Sequence, residues 1–261
     1  MEFLLEQLAN WRFYLIGAYP NGPLTGLALN IMLAVVSISI GLFFGLILGL
    51  CRTSCRMYIR YPSGIIVDVV RSTPLLMIIF WAYFFLPILG LHVSLFWCAV
   101  ASLSIYATAY LAEIVRAGFL AVPYGQMDAA LSTGMSRFQA LKFIILPQAF
   151  KIMLPSFVSF FNSMFKNTST VYIIGLVELT RTGIIISQLK PNRIYAAYIC
   201  MAIGFWIVCY SLSYAAGVLE KKLGIIDYES YKPEICRQDL VLFPLPNVVK
   251  KMFVSNRSSQ V

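Results

Sequence analysis

The sequence predicts an all-α polytopic membrane protein with about five transmembrane helices, and three observations carry that prediction. Charged residues make up only 12% of the 261 positions, about half the roughly 25% typical of soluble domains. Three uncharged runs, Leu24 to Cys51, Ser72 to Ala112 and Ile194 to Leu219, each exceed the ~20 apolar residues needed to cross a bilayer. The ~10-residue alternating segments of a transmembrane β-barrel are not seen.

Residues 1–23 suit an interfacial lead-in, since Trp11, Phe13, Tyr14 and Tyr19 favour the headgroup level. Glu2 and Glu6 stand where a cleavable signal peptide carries basic residues, and the first apolar run is too long for a signal core. That run is therefore expected to remain in the membrane. The membrane domain is expected over 24–222. Its first span, Leu24 to Cys51, would stretch ~42 Å at 1.5 Å per residue, so it must tilt or protrude. Gly41, Gly45 and Gly49 recur every fourth residue along it and predict close packing on another helix.

Arg52, Arg56 and Arg60 follow in a short loop. The second span is expected over Ile65 to Leu89, with Asp68 and Arg71 near the interface, and the third over Val93 to Val115. Ser102, Ser104, Tyr106, Thr108 and Tyr110 fall at every second position of the third span. A helix repeats at 3.6, so they cannot form one stripe, and hydrogen bonding between helices is expected of some. Glu113 and Arg116, three apart, can pair as a structural ion pair or a gate.

The fourth span is expected from Pro147 to Phe165 and the fifth from Ile194 to Leu219. Residues 223–261, with five basic and four acidic residues and no apolar period, read as a little-structured tail. Basic residues concentrate in the 1–2 loop, the 3–4 segment and the C-terminus. This places those regions in the cytoplasm and the N-terminus outside. The same bias accounts for the net charge of +9 without nucleic-acid binding. The six cysteines are scattered and suggest neither a metal site nor a disulfide framework.

The segment Gly125 to Pro147 is amphipathic, unlike its neighbours. Pro123 suits a helix start, Gly134 supplies a left-handed stop, and Ser136 with Gln139 makes a capping box. Two short helices around a tight turn are expected, the second ending before Pro147, presented as a knob over 118–146.

The spacing in this knob is that of a known motif. Asp128-Ala129-Ala130, three residues, Gly134, nine residues, Ile144, one residue, Leu146-Pro147 resembles the EAA loop of ABC-importer permeases, with Asp128 where that family usually has Glu. Arg71-Ser72-Thr73-Pro74-Leu75-Leu76, Glu113-x-x-Arg116-Ala117-Gly118, Gly125-Gln126, Leu146-Pro147-Gln148-Ala149 and Lys166-Asn167-Thr168-Ser169 resemble its polar amino-acid branch. The resemblance covers about 20–223.

It implies a type I importer permease fold in a bacterial inner membrane. The implied partners are cytoplasmic ATP-binding subunits, a second permease of the same or a different chain, and an extracytoplasmic substrate-binding protein. Gly125, Asp128, Ala129, Ala130, Gly134, Ser136 and Arg137 would couple to the ATPase. No Walker A pattern occurs, so no cofactor is expected in this chain. ATP and Mg would be used by the partner, and the chain is not expected to be an enzyme. A polar amino acid is the expected substrate. The alternatives are another small solute, such as an osmolyte or opine, on the same architecture, or an ATP-independent carrier.

Polar groups at membrane depth usually face a cavity or a partner helix. Asn162, Lys166, Asn167, Thr168, Ser169 and Thr170, where the fourth span gives out, and Arg181 beyond it, are the candidates for a substrate path, with a broken helix offering backbone groups. Arg71, Pro74, Glu113 and Arg116 are candidates for a gate or for structural roles.

Overall fold

A computed structural model describes residues 11–222, apart from positions 18, 55, 190, 191 and 193. Residues 1–10 of the expected lead-in and the expected tail lie outside the described residues. The described chain is helical, with two isolated backbone bridges, Gly17 to Leu24 and Gly26 to Glu178. A short α1, Trp11–Leu15, leads into α2, Gly26–Thr53, then α3, Met57–Ser72, α4, Leu75–Ile88, and α5, Leu95–Leu120. The knob helix α6, Tyr124–Ser132, is followed by α7, Arg137–Ala140, a π-helical stretch, Leu141–Ile145, and α8, Leu146–Asn167. A 3₁₀ turn, Thr168–Ile174, α9, Leu179–Leu189, and α10, Ile194–Lys222, complete it.

Helix α5 is the centre of the bundle. Of its most apolar window, 56% is buried, against 11% for α10. One seam explains much of that burial. Gly41, Gly45 and Gly49 of α2 face α5 closely enough that an added Cβ would lie 2.5 Å from Ala107, 2.8 Å from Leu111 and 2.7 Å from Val115. The absent side chains let the two backbones approach, as the four-residue glycine period predicts. Gly45→Val is therefore expected to destabilise the bundle by about 1–3 kcal/mol, as overpacking does. Gly217→Val on α10, where a Cβ meets nothing within 4 Å, should change stability by about 0.5 kcal/mol or less. Thermal unfolding of both variants in detergent checks this pair.

The second span departs from expectation. It is a bent pair, α3 and α4, meeting at 101°. The cause is Pro74: its ring keeps the preceding Thr73 out of helical geometry, and Thr73 is extended at φ −94°, ψ 128°. The hydroxyls of Ser72 and Thr73 both donate to Val69 O, at 2.9 and 2.8 Å, satisfying a carbonyl that the ended helix leaves free. Pro74 thus marks the elbow and caps the start of α4.

The segment after the knob also differs. The second short helix does not stop before Pro147; α7 runs through the π-helical stretch into α8 as one span, Arg137–Ile174. Proline lacks an N–H and its ring crowds the carbonyl four residues back. The wider π turns just before Pro147 are a known way for a helix to absorb such a break in its bonding pattern.

Candidate functional site

Local chemistry builds the knob. Gly134 has φ 85°, a left-handed value that other residues adopt only at a cost, and it ends α6 with its N–H on Leu131 O. Ser136 then starts α7 with a complete capping box: its Oγ accepts from Gln139 N at 3.3 Å, and Gln139 Oε1 accepts from Ser136 N at 2.8 Å. Pro123 precedes the first helical residue as the cap of α6 rather than opening the helix. Ala130 and Ala140 are buried, whereas Gly125, Asp128, Ala129 and Arg137 are exposed. Tyr124 and Phe138 are 84% and 71% exposed, two large aromatic side chains that the described chain leaves uncovered. Gln148 Nε2 donates to Gln126 Oε1 at 3.3 Å and ties the knob to the first turn of α8.

At the same end, Glu113 is the hub of an ion cluster wider than the sequence suggests. Arg116 grips it with Nε at 2.9 Å and Nη2 at 2.6 Å. Arg52 of α2 reaches it at 2.9 Å and Arg71 of α3 at 3.7 Å, while Arg52 also reaches Asp68 at 3.1 Å. The cluster joins α2, α3 and α5. Arg71 further lies 5.5 Å above the ring of Tyr110, a cation–π contact, and Tyr110 stacks on Phe160 of α8. Arg52 and Asp68 also belong to the cluster, although nothing in their local sequence marks them as members. Their charges were visible but not the helix register that assembles them.

At the other end of α8, the candidate path residues do not form one surface. Thr168 is fully buried, Lys166 is exposed, and Asn167, Ser169 and Thr170 are half-buried. Asn162 Nδ2 donates to Ser213 Oγ of α10 at 2.9 Å, and Ser169 Oγ donates back to Lys166 O. The helix does not break open at this point. It tightens into the 3₁₀ turn and ends at Gly175, φ 95°. On the third span, Ser102 bonds within its own helix, to Cys98 O, and not to a neighbour, while Tyr106 and Tyr110 pack with ring centroids 4.5 Å apart.

The residue that organises this end is Asn30 of α2. Its Nδ2 donates to Thr168 Oγ1 at 2.9 Å and to Glu178 Oε2 at 3.0 Å, and its Oδ1 accepts from Leu179 N at 3.0 Å. Glu178, fully buried, also accepts from Thr180 N and Arg181 N at 2.8 and 2.9 Å, capping α9 at the end where its dipole favours a negative charge. Burial pushes the Glu178 carboxyl above its ordinary range, and these hydrogen bonds oppose the push. Arg181 thus enters the node through its backbone. The signal was Asn30 itself, the only amide in the first uncharged run.

Residues 41–225 match the family model described as "Binding-protein-dependent transport system inner membrane component". Over 211 residues the chain is 36% identical to "Probable glutamine ABC transporter permease protein GlnP" of Bacillus subtilis, covering 78% of this chain and 97% of that protein. It is 33% identical to the "Arginine transport system permease protein ArtQ" of the same organism, over 77% and 91%. A crystal structure of an amino acid ABC transporter with histidines superposes with a TM-score of 0.73 at 29% identity, covering 85% of this chain and 97% of that one.

Proposed function

The chain belongs to the family of inner-membrane components of binding-protein-dependent transport systems, and from that premise we propose that it is the permease subunit of an ATP-driven importer for polar amino acids. The observation that carries the coupling part is the knob. It is a helix and a tight glycine turn followed by the capping box of α7, with exposed Tyr124 and Phe138, continuous through α7 with a membrane span. A separate cytoplasmic ATPase docks on Gly125 to Pro147, and its ATP-driven closure moves α8 directly. ATP and Mg serve that partner. The substrate class is supported by relatives named for glutamine and arginine transport.

The remaining assignments follow from this reading. The arginine-rich end and the C-terminus face the cytoplasm, the N-terminus faces outward, and a second permease and an extracytoplasmic binding protein complete the assembly. The substrate path is assigned to those of its candidates that keep some exposure, Asn162, Lys166, Asn167, Ser169, Thr170 and Arg181, while Thr168 belongs to the Asn30 node and Arg71, Pro74, Glu113 and Arg116 hold the elbow and the ion cluster.

Gly134→Arg tests the coupling. A Cβ at Gly134 meets nothing within 4 Å, so the chain should still insert. The left-handed turn, however, becomes costly by about 1–2 kcal/mol, and a charge enters the docking face. The tagged parent, purified from its host in mild detergent, should bring an ATPase with it. The variant should lose about tenfold or more of that partner, equivalent to roughly 1.4 kcal/mol or more of docking free energy, together with ATP-dependent uptake. Undiminished uptake by a well-inserted variant sinks the coupling assignment. A panel of amino acids, an opine and an osmolyte offered to the parent tests the substrate class.

A further inference from the structure

The arginine-rich end of the bundle holds a cavity of about 700 Å³, within the range of small-ligand sites. The end of α2, the start of α3, the end of α5 and the first residue of α6 wall it. Arg52, Arg60 and Arg116 line it with Asp68, Ile65 and Tyr124. Its charge is unbalanced. Arg52, Arg71 and Arg116 all turn to the single carboxylate of Glu113, and Asp68 pairs with Arg52 alone. Arg60 has no carboxylate partner among the described residues. The cavity wall itself holds three guanidiniums, Arg52, Arg60 and Arg116, against the one carboxylate of Asp68, while Glu113 and Arg71 lie outside the wall and offset one another in charge, so excess positive charge remains in a concave site, which draws anions. Guanidinium forks suit phosphate oxygens in particular.

The rim indicates which phosphate. Ile65 and Leu120 line the same cavity and are 62% and 55% exposed. A soluble phosphate ester has nothing to offer these side chains. A phospholipid presents charge and hydrocarbon together, at the depth where membrane helices meet the headgroups. We propose that this cavity binds the headgroup phosphate of an anionic phospholipid, with its acyl chains lying over Ile65 and Leu120. The bound headgroup then rests against Tyr124, the first residue of the knob helix, and steadies the knob relative to α2, α3 and α5. This site requires only the membrane placement of the helices, not the substrate or ATPase assigned above, so binding and uptake can fail separately.

Native mass spectrometry of the full, delipidated chain tests it with phosphatidylglycerol, phosphatidylcholine and glycerol 3-phosphate as probes. Phosphatidylglycerol should be retained about fivefold more strongly than phosphatidylcholine, equivalent to about 1 kcal/mol. Arg60→Gln should remove most of that preference, Arg60→Lys should keep it, and Arg56→Gln, outside the cavity, should leave it unchanged. Equal retention of the two lipids by the parent overturns the proposal, as does a preference indifferent to Arg60→Gln. Binding of glycerol 3-phosphate as tight as that of phosphatidylglycerol also overturns it, in favour of a soluble anion.

Discussion

Glu113→Gln is expected to lower the stability of the bundle by about 2–4 kcal/mol. Removing one partner of a buried ion pair costs about 3–5 kcal/mol, because the remaining charges stay where they are. Both ends of that range are reduced here because the Glu113 side chain is 21% exposed. The glutamine amide keeps the shape but not the charge, so Arg52, Arg71 and Arg116 are left facing one another, with only the largely exposed Asp68 as counterion. Their repulsion falls on three helices at once. Thermal unfolding in detergent measures the loss, and raising the salt should shrink it, since repulsion among partly exposed charges is screened. A double-mutant cycle with Arg52→Gln should return a coupling of about 1 kcal/mol or more. An unfolding midpoint matching the parent's at low salt would show that the cluster does not stabilise the bundle.

The second large effect is expected at Asn30. Asn30→Leu retains the branched shape, with bulkier methyl groups at its tips, but deletes three hydrogen bonds. Leu179 N–H is left buried without its acceptor, and Glu178 loses its only side-chain donor from α2. Each buried group abandoned in this way costs about 1–3 kcal/mol, so a loss of about 3–5 kcal/mol is expected, read as lowered thermal stability in detergent.

Asn30→Asp gives a sharper signature. Two carboxyls then share a buried site, and the like charge adds to the burial that already raises Glu178. For a carboxyl raised on folding, the stabilising contribution is fully present below the unfolded pKa and is lost as pH rises through the folded value. The Asn30→Asp protein should therefore lose stability, relative to the parent, on going from pH 4 towards neutrality, over a window opening at about 4. A parent-like pH profile for Asn30→Asp would remove Glu178 and Asn30 as electrostatic partners.

What the sequence made visible was whatever depended on neighbours in the chain. The knob's turn and cap were readable because Gly134, Ser136 and Gln139 act within a few residues of one another. Helices α2 and α10 begin and end within a few residues of their expected bounds because uncharged runs define them. The elbow was hidden because hydropathy does not register direction: Thr73 and Pro74 sit inside an apolar run that looks the same bent or straight. The Asn30 node was hidden for the opposite reason, since its Glu178 partner lies 148 residues away and no local pattern announces it. The candidate path residues were found by polarity, which cannot tell an inward threonine such as Thr168 from an exposed lysine such as Lys166.

The glycine seam also has a consequence for how the chain is made. Gly41 meets Ala107, 66 residues later, and α3 and α4 are synthesised in between. At about 5–20 residues per second, α2 waits roughly 3–13 s for its partner. During those seconds its grooved face is available to any small-residue helix in the same membrane. Correct assembly is thus a race between the ribosome and lateral diffusion, won when α5 arrives before a stranger occupies the groove.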